Sequence, residues 1–98
     1  MVRRRLAHHY HVLENKCSRF QDVQVLFIND YASDTLIVKF GRNDFRVTQN
    51  LSNGFCTYTY NMFSKPDVYR SKHGFSVDNL VRTMSKEISR RLKVGGWL

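Results

Sequence analysis

Leu6, Tyr10, Leu13, Cys17 and Phe20 stand four, three, four and three residues apart, the repeat of one helical face. Arg3, Arg5, His8, Glu14, Asn15 and Lys16 fall largely off that stripe, and no proline or glycine interrupts residues 2–21. The spacing predicts a helix from about Arg3 to Ser18, with the histidines on its shoulder and the arginines in its first turn. The period then drops to two. Val23, Val25 and Phe27 alternate with Gln24, Leu26 and Ile28, so both faces turn apolar towards the end of the segment. A strand of that kind is expected at the centre of a sheet or beneath loops.

The stretch "DYASD" breaks the pattern, and "TLIVKF" resumes it, with Leu36, Val38 and Phe40 on one face and Thr35, Ile37 and Lys39 on the other. Gly41-Arg42-Asn43 supplies a turn, and "DFRVTQ" returns with Phe45 and Val47 inward and Arg46 and Thr48 outward. Asn53-Gly54 is a strong hairpin signal, and the β-branched and aromatic "FCTYTYNMF" follows as a fourth strand. Within it Tyr58 and Tyr60 share the parity of Cys56 and Met62, which puts them on the core side. Short connections favour sequential antiparallel pairing. The polar "SKPDVYRSKHG" holds the single proline and is expected to be a loop.

A second helix closes the chain. Ser76 suits its N-cap and Asp78 its first turn, and Phe75 and Leu80 are placed for a hydrophobic staple. Val77, Leu80, Val81, Met84, Ile88 and Leu92 form its apolar stripe, and Gly95-Gly96 ends it. The order is α-β-β-β-β-α. The expected architecture is an α+β domain in which a four-stranded antiparallel meander sheet carries an N-terminal and a C-terminal helix packed on one face. Residues 1–98 form a single domain in this reading, with 1–5 as a flexible basic arm and 94–98 as a flexible tail.

Charge narrows the choice of partners. Sixteen Lys and Arg stand against eight Asp and Glu, giving a net charge of +8 and a pI near 9.9. Such an excess on so small a surface attracts anionic partners, nucleic acid first and acidic protein surfaces next. No apolar run is long enough to span a membrane; the longest is Val25–Ile28. Two cysteines, Cys17 and Cys56, do not make a disulfide framework, and histidines rather than an apolar segment follow the first arginines. An intracellular, reducing, cytoplasmic setting with both thiols free is the expectation.

Catalytic patterns are missing from the sequence. It contains no Gly-x-Ser-x-Gly elbow, phosphate-binding glycine loop or His-Glu-x-x-His helix, and Asp22, Asp30, Asp34 and Asp44 sit beside expected turns. His8, His9, His11 and Cys17 invite a zinc site, yet a second ligand pair is lacking and Cys17 lies on the apolar stripe. No enzyme, cofactor or metal is therefore expected.

The basic residues form the clearer pattern. Arg82, Lys86, Arg90 and Lys93 recur at helical intervals beside the apolar stripe, with Arg91 among them. Arg70 and Lys72 precede that helix, Lys39 and Arg46 share the outward sheet parity, and Arg3, Arg4 and Arg5 open the chain. The first expectation is a nucleic-acid-binding protein, DNA or RNA, in which these residues line a groove for the phosphate backbone. The alternative is a compact inhibitor or adaptor, of the kind used by viruses or mobile elements, docking on an acidic protein surface. Tyr69, Phe75 and Trp97 would then be its anchors.

Overall fold

The computed structural model describes the backbone of residues 5–40, 43–62, 65–73 and 76–92, with side chains for all of these except 40, 60–62, 65–73 and 91–92. Helix α1 spans Leu6–Cys17 and helix α2 spans Val77–Leu92. Between them run β1 (Val23–Asn29), β2 (Ser33–Phe40), β3 (Asn43–Asn50), β4 (Cys56–Met62) and β5 (Lys65–His73). Neighbouring strands pair antiparallel in chain order, β1-β2-β3-β4-β5. The expected four-stranded meander with a helix at each end is present, and the class is α+β.

The sheet has one strand more than the polarity of the chain suggested. Residues 64–74, expected as a loop, contain β5, which pairs Ser71 with Thr59 and His73 with Thr57. The pairing is physical rather than compositional. Strand β4 offers a row of backbone groups, and an outer strand that satisfies them has only one neighbour and tolerates charge and proline. Pro66 sits next to the start of β5, and a register shift at Asn61/Met62 adjusts the strands there.

Register sorts the side chains into two faces. Leu36 stands opposite Val47, which stands opposite Tyr58, and Val38 stands opposite Phe45. These residues are buried with Cys56 beneath Leu6, Leu13 and Cys17 of α1 and Val77, Leu80, Val81, Met84 and Ile88 of α2. Both helices thus cover the same face, α1 over β1 and β2 and α2 over β3 and β4. Full burial of a side chain of this size stabilises by about 1.5–3 kcal/mol. The Tyr10 ring stacks on Phe27 at 5.6 Å between centroids, and Phe45 on Tyr58 at 6.4 Å. Tyr58 therefore lies in the core, as its parity indicates.

Two further expectations change. Strand β1 lies at an edge of the sheet, not at its centre, and Ile28 on its outer face is 53% exposed. Asp34 belongs to β2 rather than to a turn, and it points to the helix-covered face, where it is buried and accepts a hydrogen bond from Asn29 Nδ2 at 2.7 Å. A buried carboxylate requires such a partner.

An odd number of antiparallel strands sets the direction of the helices. β1 and β5 point the same way, and each joins its helix through a short connection. Consequently α1 and α2 run side by side in the same direction, with both N-termini at the end of the sheet that carries the β1–β2 and β3–β4 turns. That end is where the site begins.

Candidate nucleic-acid interface

Asp78, in the first turn of α2, ties the two helix starts together. Arg5 Nη1 donates to Asp78 Oδ2 at 2.6 Å, and His9 Nε2 lies 2.8 Å from Asp78 Oδ1. Ser76 caps the same helix through its hydroxyl, which accepts the Asn79 N–H at 3.2 Å. Helix α1 has no side-chain cap at Arg5. A carboxylate near two helix N-termini suits both dipoles, and it offsets the unfavourable placement of Arg5. The hydrogen bond from His9, together with the charges of Arg5 and Arg82, holds the Asp78 carboxyl below its ordinary value, while slight burial opposes them.

The pH dependence follows from that direction. A carboxyl depressed in the folded state contributes stability above its unfolded-state pKa and loses it as pH falls through the folded one. Arg5 and Asp78 are each 42% exposed, so water screens the pair. Asp78→Asn is expected to lower stability by about 1 kcal/mol, a Tm fall of about 5 °C in a domain of this size. The difference from wild type should be present at neutral pH and shrink towards zero below about pH 4 in thermal melts.

From Asp78 a groove of about 600 Å³ runs between the parallel helices. His9, Val12, Leu13 and Lys16 form its α1 wall, and Asp78, Val81, Arg82, Ser85 and Lys86 its α2 wall. Its floor is apolar and its far end is basic. Among the described residues, Lys16, Arg82 and Lys86 form no ion pair. Val12 is 38% exposed beside them.

The other sequence-predicted basic residues are distributed differently. Arg90 pairs with Glu87 one helical turn back. Lys39 and Arg46 are exposed on the sheet face opposite α1 and α2, and Arg46 lies 3.4 Å from Asp44. They stand on the opposite side of the domain from Arg82 and Lys86, so one groove does not join the two groups. Arg70 and Lys72 occupy β5 positions opposite Tyr60 and Tyr58, and Tyr69 one opposite Asn61. Arg91 lies in the last turn of α2. The side chains of these four, and Arg3, Arg4, Phe75, Lys93, Gly95, Gly96 and Trp97 altogether, lie outside the described residues.

Sequence reasoning found Arg82 and Lys86 but missed Lys16, Val12 and His9. Their signal is the spacing of three and four from His9 to Val12 to Lys16, one step round the helix from the buried stripe. What makes those positions a wall is the direction of α2, which depends on β5.

Family models, curated proteins and solved structures give no match to the chain. The chemistry must be read from the groups themselves. Burial pushes the thiols of Cys17 and Cys56 up, with the Arg19 charge partly opposing at Cys17, so both stay protonated and poorly nucleophilic at neutral pH. Both are free cysteines in the core. Among the described residues no three His, Cys, Asp or Glu side chains converge on a point, and no helix is long and apolar enough to cross a membrane.

Proposed function

We propose that the chain is a small non-enzymatic module of the reducing cytoplasm that binds nucleic acid through its phosphate backbone, with the α1–α2 groove as the principal contact. The observation that carries this reading is the convergence of Lys16, Arg82 and Lys86 on one groove, none of them held in an ion pair among the described residues. Unpaired cations on long stems reach phosphate oxygens without breaking an internal ion pair, and each contact releases condensed counterions. The net charge of +8 adds long-range attraction. Contacts of this type set position and affinity rather than sequence preference.

The apolar floor of Leu13 and Val81, with Val12 at the rim, favours a second reading, docking on an acidic protein surface. The two readings differ in their response to salt and mutation. Fluorescence anisotropy with labelled short DNA and RNA should show binding that weakens linearly on a log–log plot between about 50 and 200 mM salt. Alanine at Lys16, Arg82 or Lys86 should each lower the slope by about one. Absence of binding at low salt would sink the nucleic-acid reading and leave the acidic protein surface.

A further inference from the structure

Two aromatic rings stand in water at the end of the sheet where both helices begin. Tyr31, in the β1–β2 turn, is 92% exposed, and Phe55, in the β3–β4 turn, is 61% exposed. Among the described residues neither ring has an aromatic or cationic partner. Leaving two large aromatics unpacked forgoes burial that the core gives Phe45 and Tyr58.

The backbone beneath the rings is well fixed. Asp30 Oδ1 accepts the Tyr31 N–H at 2.7 Å, and the Asp30 N–H donates to the Ser33 carbonyl at 2.8 Å. In the other turn Asn53 Oδ1 accepts the Phe55 N–H at 2.9 Å, and the Phe55 carbonyl accepts the Asn50 N–H at 2.8 Å. Gly54 takes the positive φ of 78° that this turn requires, which glycine adopts without steric cost. The Leu51 N–H donates to the Ala32 carbonyl at 3.0 Å, so the two turns are joined to each other. A turn backbone held in this way loses little freedom when a ligand settles on the rings.

We infer that Tyr31 and Phe55 form a stacking platform for unpaired bases, which makes single-stranded nucleic acid the preferred ligand of this domain. The inference rests on the phosphate-binding reading above. The chain beside each ring is largely polar, Asp30 and Ser33 next to Tyr31 and Asn53 next to Phe55, with Ile28 as the exposed apolar residue at the end of β1, whereas a protein hot spot sits in a patch that excludes water. A base presents an apolar face with a polar edge and a charged backbone, which matches an isolated ring on a cationic protein. A cleft of about 310 Å³, lined by Gly54, Arg5, Ser76 and Asp78 among others, adjoins the Phe55 turn, and Asp78 also lines the groove that holds Arg82, Lys86 and Lys16. A strand stacked on the Phe55 turn thus passes the Arg5–Asp78 pair before it reaches the basic groove of Arg82, Lys86 and Lys16. Duplex DNA or RNA, with its bases already stacked, has no faces to offer the rings.

The test compares three labelled probes of equal length: a single strand, the same strand without bases, and a duplex. Anisotropy titrations should show the single strand bound more tightly than the abasic strand. Tyr31→Ala and Phe55→Ala should each weaken single-strand binding by about fivefold to a hundredfold while leaving abasic and duplex binding within about twofold. Tyr31→Trp and Phe55→Trp should keep the preference, and unchanged thermal melts of all four variants will show that the fold is intact. Equal binding of the single and abasic strands, with no effect of either alanine, overturns the platform and leaves the phosphate reading standing. Failure of all three probes to bind at low salt overturns both.

Discussion

Phe45→Ala is expected to destabilise the domain by about 3–5 kcal/mol, enough to remove a large share of a stability that for domains of this size is about 5–15 kcal/mol. Phe45 is fully buried and is the largest side chain so placed among the described residues. It stands opposite Val38 of β2 and opposite Tyr60 of β4 in register, stacks on Tyr58, and lies in the layer that α2 closes. Two strands and a helix meet around it, so a truncated ring leaves a cavity that no single neighbour can fill. Urea denaturation should show a lower midpoint with little change in slope. The contrast is Tyr31→Ala, which touches no packed surface and should lie within about 0.5 kcal/mol of wild type. A loss below about 1 kcal/mol for Phe45→Ala would mean that the core is not organised around this residue.

What was legible in the sequence was local. The capped start of α2 at Ser76, its buried stripe from Val77 to Ile88, and the period-two alternation of β1 to β4 each depend on residues a few positions apart. The turn at Asn53-Gly54 was equally plain, because few residues other than glycine accept its backbone. Strand β5 was not legible, since its warrant is the open edge of β4 rather than any pattern of its own. That single omission has a geometric consequence. With residues 64–74 read as a loop, the direction of α2 relative to α1 was open, so the sequence did not show which α2 residues face Lys16. Asp34 misled for a similar reason, as its burial depends on Asn29 across a turn. Arg5 is a clear case at the site: its partner Asp78 lies 73 residues away, and no local signal marks an arginine as already engaged. Of the basic residues proposed from sequence, Arg82 and Lys86 keep their role in the proposed site, because helical spacing alone carried them to one face. Lys39 and Arg46 read equally well as outward-facing, and they are, on the side away from both helices, so the single groove expected to join them with Arg82 and Lys86 does not form.

That separation allows a decisive experiment on binding. Reversing Lys16, Arg82 and Lys86 together to glutamate should lower affinity for a single-stranded oligonucleotide by about a thousandfold at about 50 mM salt and flatten the salt dependence by about three. Three contacts vanish, and three carboxylates replace them where phosphates would lie. The same change at Arg19, Lys39 and Arg46 alters the net charge by an equal amount, but places it in the turn after α1 and on the sheet face opposite the helices. If attraction were diffuse, the two triple variants would bind alike, because the long-range field depends on total charge. If the groove is the site, the second variant should keep most of its slope and lose only about tenfold, through weaker steering. All six positions are at least partly exposed, and thermal melts of both variants check that losing the Arg19 contact over the Phe20 ring and the Arg46–Asp44 pair leaves the fold intact. The ratio of the two affinities therefore measures how much of the binding belongs to the arrangement that α1 and α2 create, and how much to charge that any basic protein of this size would carry.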